Sequence, residues 1–232
     1  MASGSRAVVQ AVLIDLQQIF RDRIEAMVAY GWRNHAPVPS LVLVRSLTPE
    51  DLTACASRVK SWHRAGAATP LLLTLNDFAR SLDVFPIEYG EILASHYVVF
   101  GDDPFVGLTI KDDDLRRACE VQVKSHLLHL REEFLESGAM PPAVDELVRE
   151  SAPGFAALLR NLARLDRVPA TTNGELTEYA TRRAQLDGHI VDNILSLVDR
   201  DSITAADAAR LFPEYLATME RLADFVDKWR HQ

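Results

Sequence analysis

Long apolar runs and a surplus of basic residues are missing from this 232-residue chain and cysteine is scarce, and each lack removes a class of function. No stretch approaches the roughly 18 uninterrupted apolar residues of a membrane span, so no membrane role is expected. The opening Met-Ala-Ser-Gly-Ser-Arg also lacks the basic-then-apolar order of a signal peptide, which predicts a cytoplasmic protein. Only two cysteines occur, Cys55 and Cys119, with no companions at zinc spacing; a disulfide framework and a structural zinc site are both disfavoured. Lys and Arg number 25 against 33 Asp and Glu, a formal net charge of -8, so a general electrostatic grip on nucleic acid is not expected. What is present is a 48% hydrophobic, 25% charged composition that can bury a sizeable core. The acids are unevenly spread: from Ala26 to Pro49 there is no Asp or Glu, where the chain-wide frequency would put roughly three.

The first 110 residues alternate short apolar runs with helical patterns, the mark of an α/β layer with a mixed or largely parallel sheet. A helix is predicted over Ala7 to Glu25 and a buried strand over Ala26 to Tyr30, stopped by Gly31. A loop follows to Pro39, then an aliphatic strand over Leu41 to Val44. Thr48-Pro49-Glu50-Asp51 combines a capping residue, proline at the first helical position and acids in the first turn, so a helix should run from Pro49 to about Arg64. Pro70 to Leu75 reads as a strand, Asp77 to Arg80 as a turn or short helix, Val84 to Tyr89 as an edge strand containing Pro86, and Tyr97 to Phe100 as a last strand. Beyond the acidic Lys111-Asp112-Asp113-Asp114 the pattern turns all-helical. Leu115 to Glu136, Ala143 to Leu165, Leu176 to Val198 and Ala205 to Trp229 predict four helices in an antiparallel bundle. Two domains are expected, 1–110 and 111–232.

Ser81-Leu82-Asp83-Val84-Phe85-Pro86-Ile87-Glu88-Tyr89, then His96-Tyr97-Val98-Val99-Phe100-Gly101-Asp102-Asp103-Pro104 and Leu115-Arg116-Arg117-Ala118-Cys119-Glu120, closely resemble a group of uncharacterised bacterial nucleotidyltransferase-domain proteins. The match spans roughly residues 70 to 137 and is looser over 7 to 69. The resemblance implies a nucleotidyltransferase-like α/β domain followed by a helical bundle. It also implies transfer of a nucleotidyl group from a nucleoside triphosphate with Mg²⁺, held by two Asp one residue apart on a strand, so that both point to one face. Carried over residue by residue, the Gly-Ser turn ahead of that strand falls at Gly31-Trp32, where an indole replaces the serine. The Asp pair falls at Val38-Pro39-Ser40-Leu41, inside the acid-free window, where no register supplies a carboxylate.

Two readings follow from that gap. One is a catalytically degenerate protein with a remnant pocket at Tyr30, Gly31, Trp32, Ser40, Asp83 and Glu88. It would bind a nucleotide, another small molecule or a protein, and its helical domain would be available to a protein partner or a second copy of the chain. The other is an active Mg²⁺-dependent enzyme in which Glu25, Asp83 or Glu88 converge instead. A helical interaction module on an α/β support is the third alternative. Tyr30 and Trp32 could stack on a base, or Trp32 could fill the phosphate space, and occlusion is the expectation. Further along, Arg182 or Arg183 with His189 mimics the Arg-to-His spacing of helical ribonucleases, but a solvated helix face accounts for it. His126, His129 and Glu133 lie at helical steps that would allow a metal face; structural histidines are expected there. Asp112-Asp113-Asp114 reads as a helix start rather than a calcium loop.

Overall fold

A computed structural model describes residues 3–31, 37–199 and 205–229. The chain divides into two compact units, Met1–Lys111 and Asp112–Gln232. The first has a mixed four-stranded sheet with helices on both faces, and the second is all-helical.

In the first unit α1 (Ser3–Phe20) leads to β1 (Ile24–Tyr30) and β2 (Ser40–Val44). The predicted helix to Glu25 ends five residues early because Arg21 takes a positive φ of 53°, which breaks the helical path and lets β1 begin at Ile24. Next come α2 (Pro49–Ala56), α3 (Val59–Arg64), β3 (Leu71–Thr74), α4 (Leu75–Ser81), α5 (Pro86–Ala94) and β4 (His96–Gly101). The single helix expected from Pro49 to Arg64 is two. Arg58 N–H bonds the Cys55 carbonyl at 2.8 Å, a tight three-residue closure that ends α2 before α3 starts. Thr48 and Asp51 form a reciprocal capping box at the head of α2, and Arg23 grips the same Asp51 through two 2.7 Å bonds.

The strand expected over Val84 to Tyr89 is instead the start of α5. Pro86 occupies the first helical turn, where its missing N–H costs nothing, and Pro86, Tyr89, Gly90 and Ile92 are buried at three- and four-residue steps.

The sheet order is β3-β2-β1-β4. β1 runs antiparallel to both β2 and β4, and only β2 and β3 are parallel, so the sheet is mixed rather than largely parallel. Residues 31–39 are too few for the dozen or more that a parallel crossover from β1 to β2 would need. β3 forms one edge of the sheet. Both faces are covered. One packs Met27, Ala29, Val42 and Val44 against Val9, Leu13, Leu16 and Phe20 of α1 and against Trp62 of α3. The other packs Ala26, Val28, Leu41 and Leu43 against Phe78, Tyr89, Ile92 and Phe105. Gly101 closes β4 with φ +72°, facing Ala26 so closely that a Cβ there would run into the Glu25 carbonyl.

The second unit holds α6 (Asp112–Glu136), α7 (Pro141–Leu165), α8 (Asn173–Arg183), α9 (Gly188–Ser196) and α10 (Ala205–Lys228). The helix expected over Leu176 to Val198 is broken into α8 and α9. Gln185 takes φ +55°, Leu186 N–H reaches back to the Ala180 carbonyl at 3.1 Å, and the Asp187 carboxylate accepts from His189 N–H at 2.9 Å to cap α9. Five described helices therefore replace the four expected, and the loop expected at Asp199 to Ser202 falls largely outside the described residues. A carboxylate fastens this unit from within: Asp166, at the end of α7, accepts from Tyr179 Oη (2.9 Å), Arg183 Nε (2.9 Å) and Trp229 Nε1 (2.8 Å). Burial alone would raise the Asp166 carboxyl, but the bonds from Arg183, Trp229 and Tyr179 together hold it below the usual range.

Candidate functional site

A cavity of about 680 Å³ opens in the α/β unit beside the sheet face that carries Leu41 and Leu43. Its walls come from Leu71 and Leu73 of β3, from Val84 and Phe85 in the turn between α4 and α5, and from Ile92 of α5. Polar groups converge from three elements: Tyr30 at the end of β1, Asp77, Arg80 and Ser81 on α4, and Glu88, Tyr89 and Glu91 on α5. A largely apolar hollow with a few placed polar groups is the usual form of a small-molecule site.

Local sequence explains each placement. Thr74 and Asp77 make a capping box that starts α4 directly at the end of β3, with Thr74 N–H donating to Asp77 at 3.2 Å and Asp77 N–H to Thr74 Oγ1 at 3.1 Å. The side-chain and backbone bonds from Thr74 hold the Asp77 carboxyl below its ordinary range, with Arg80 adding a nearby positive charge. Tyr89 is buried, its hydroxyl 2.6 Å from Ser81 Oγ and its ring edge-on to Phe78. Burial raises its hydroxyl, opposed by the Ser81 contact. Tyr30 is half-buried, and its hydroxyl is raised by burial first and by the neighbouring Glu91 second. Glu88 stands exposed in the first turn of α5.

Of the residues the sequence singled out, Tyr30 and Glu88 line this cavity. Gly31 follows β1 at φ +57°, and Trp32 lies outside the described residues, so the stacking and occlusion readings of its indole do too. Ser40 does not join them: alternation along β2 puts it with Val42 and Val44 on the α1 side, buried at 2% exposure. Asp83 is exposed in the turn but is not part of the lining. Glu25 sits at the far end of β1 from Tyr30, bound to Arg45 at 2.6 Å. Glu25, Asp83 and Glu88 therefore do not converge. Asp77 and Glu91 were not flagged in the sequence; they flank the Ser81-to-Tyr89 motif, and nothing in spacing alone marks them as cavity residues.

Among the described residues no donor set fits the paired magnesium ions of nucleotidyl transfer. At the positions where the sequence reading expects the Asp pair, Val38 belongs to the apolar cluster under α1 and Ser40 is buried at 2% exposure. Hard Mg²⁺ wants carboxylate oxygens in octahedral array. Among the described residues no three His, Cys, Asp or Glu side chains close around a common point.

The other candidates separate as well. His126 turns inward, its Nε2 2.7 Å from the Tyr215 hydroxyl, while His129 is exposed beside Glu132. Arg183 is held by Asp166 and Arg182 by Glu178, on α8, whereas His189 is on α9 beyond the break and bonds Asn193. Asp112-Asp113-Asp114 forms the first turn of α6, with Asp112 paired to Arg167 at 2.7 Å.

No family model matches the sequence, and no curated protein matches it. The match lies in the fold, which is that of a nucleotidyltransferase. The chain is structurally similar to a spectinomycin adenyltransferase from Enterococcus faecialis, solved with ATP and spectinomycin, at a TM-score of 0.57 over 96% of this chain and 99% of that one. Sequence identity is 9%, so the likeness is one of fold. No described helix is long and apolar enough to cross a membrane.

Proposed function

We propose that this is a catalytically degenerate nucleotidyltransferase-like protein of the bacterial cytoplasm, in which the α/β domain, residues 1–110, binds a small molecule without metal-dependent transfer. The helical domain, residues 111–232, then serves a protein partner or a second copy of the chain. The observation that carries the reading is the pair of positions at the mouth of β2. On our reading of the sequence the Asp pair would fall at Val38 and Ser40, and both are buried. The cavity at Tyr30 and Glu88, on the opposite face of the sheet, gives the fold a place to hold a ligand. A nucleoside triphosphate and Mg²⁺ belong to the alternative, active reading, which needs carboxylates brought together; Glu25, held by Arg45, is not available for that.

Isothermal titration calorimetry with ATP and the other nucleoside triphosphates, with and without Mg²⁺, followed by a turnover assay on the same samples, tests the proposal. No magnesium-dependent turnover is expected. Clear magnesium-dependent release of pyrophosphate would overturn it.

A further inference from the structure

We infer that the cavity of the α/β unit takes a small uncharged apolar molecule, an aryl or alkyl body laid on Leu73, Phe85 and Ile92. This names the class of ligand for the small-molecule-binding reading of that unit and rests on it.

The polar groups around the hollow are engaged with one another or with water. Ser81 Oγ and Tyr89 Oη lie 2.6 Å apart, one hydroxyl donating to the other. Thr74 holds Asp77 through bonds of 3.2 Å and 2.7 Å, and the charge of Arg80 acts on the same carboxyl. Glu91 interacts within the protein, its charge acting on the Tyr30 hydroxyl. Asp77, Arg80 and Glu88 are all exposed, where water solvates their charges and screens them. Among the described residues, the buried side-chain nitrogen and oxygen atoms without a partner, those of Gln122, Asp145, Arg149 and Thr177, all lie in the helical unit. The walls of the cavity therefore hold no buried polar atom waiting for a ligand group. An ionised head of either sign carried into the hollow would lose its hydration and find no partner in exchange.

Hydrocarbon is left to do the recognition. Leu71 is 42% exposed, Phe85 50% and Val84 61%, three large apolar side chains on the wall of one hollow that a bound molecule would cover. Covering them is favourable in proportion to the apolar area removed from water. The shape points to a small molecule as the occupant. The walls come from β3, from the turn between α4 and α5, and from α5, so they curve around the space instead of forming the broad patch of a standard protein interface. The volume of about 680 Å³ lies in the range that encloses a compact organic molecule.

The test titrates the full chain calorimetrically with a series of phenylalkanols, from phenylmethanol to phenylhexanol, and with phenylbutylamine and phenylbutyrate as charged counterparts of phenylbutanol. Each added CH₂ should tighten binding about fourfold until the hollow is filled. The heat-capacity change on binding should be negative. Phenylbutanol should bind tighter than both charged counterparts. Phe85→Ser, at an exposed position that leaves the core untouched, should weaken phenylbutanol about fivefold, and Glu88→Gln should leave it unchanged. Failure of the alcohols to bind, affinity indifferent to chain length or to Phe85→Ser, or tighter binding of the amine or the carboxylate would each overturn the inference. Magnesium-dependent turnover of ATP would instead remove the degenerate reading on which it rests, and the two failures are told apart by which assay responds.

Discussion

Acidification from pH 7 to pH 5 should destabilise the helical unit by about 2 kcal/mol through a single side chain, His126. Its ring lies between α6 and α10, against the Tyr215 hydroxyl, and Gly154 of α7 is placed so that even a Cβ would come within 3.2 Å of the imidazole. Burial, with a smaller contribution from His129, holds the ring's pKa down at about 4, against 6.5 for a free histidine. The folded protein therefore keeps His126 neutral where the unfolded chain takes up a proton. Stability is fully present above about pH 6.5 and is lost as pH falls through 4. At about 1.36 kcal/mol per pH unit, the window between the two values sets a ceiling near 3 kcal/mol, of which about 2 kcal/mol is gone by pH 5. Carboxylates interfere little there, because in the unfolded chain they take up protons mainly below about pH 5. Urea unfolding at pH 7, 6 and 5, on the wild type and on His126→Gln, isolates the effect, since glutamine keeps a partner for Tyr215 and does not titrate. The variant should lose most of the pH dependence. Identical slopes in the two proteins, or an imidazole that titrates near 6.5 in the folded state by NMR, would refute the reasoning.

Two further outcomes follow from packing. Asp166→Asn removes the charge that Arg183 pairs with and turns one of the two acceptor oxygens, Oδ2 facing Tyr179 and Arg183 or Oδ1 facing Trp229, into an NH2 donor; with the Asp166 side chain only 7% exposed, it should cost about 3 kcal/mol in urea unfolding. Gly101→Ala forces a Cβ toward the Glu25 carbonyl at a positive φ and should destabilise by at least about 2 kcal/mol, visible as a lowered urea midpoint; a change below about 0.5 kcal/mol would show that β4 can slide away from β1.

The sequence made strands and caps legible where chemistry is local. Thr48-Pro49-Glu50-Asp51 starts α2 as read, and the aliphatic runs at Ala26 to Tyr30 and Leu41 to Val44 are the two central strands. The misreadings arose where one feature has two uses. Pro86 is compatible with an edge strand and with a first helical turn, and burial of Tyr89 and Ile92 decided for the helix. The apolar spacing from Leu176 to Val198 continues across the break because Leu186, in the connection itself, is buried at 3% exposure. The acid-free window drew attention to β1 and β2, but the acids that line the cavity lie on α4 and α5, far along the chain from it. Their convergence depends on β3 lying two strands away from β1, a tertiary arrangement that spacing does not carry.

The edge strand β3 has one more consequence, for how the protein behaves in crowded solution. An open strand edge is a template on which other chains can polymerise, and Leu71, 42% exposed, would add to the attraction. This one is only 4 residues long. Pro70 at its entry offers no N–H, and at its exit the Thr74 N–H is already committed to the Asp77 carboxylate at 3.2 Å. A foreign strand would find too little free backbone to grow along, so the capping box that begins α4 also guards this edge of the sheet against edge-to-edge aggregation.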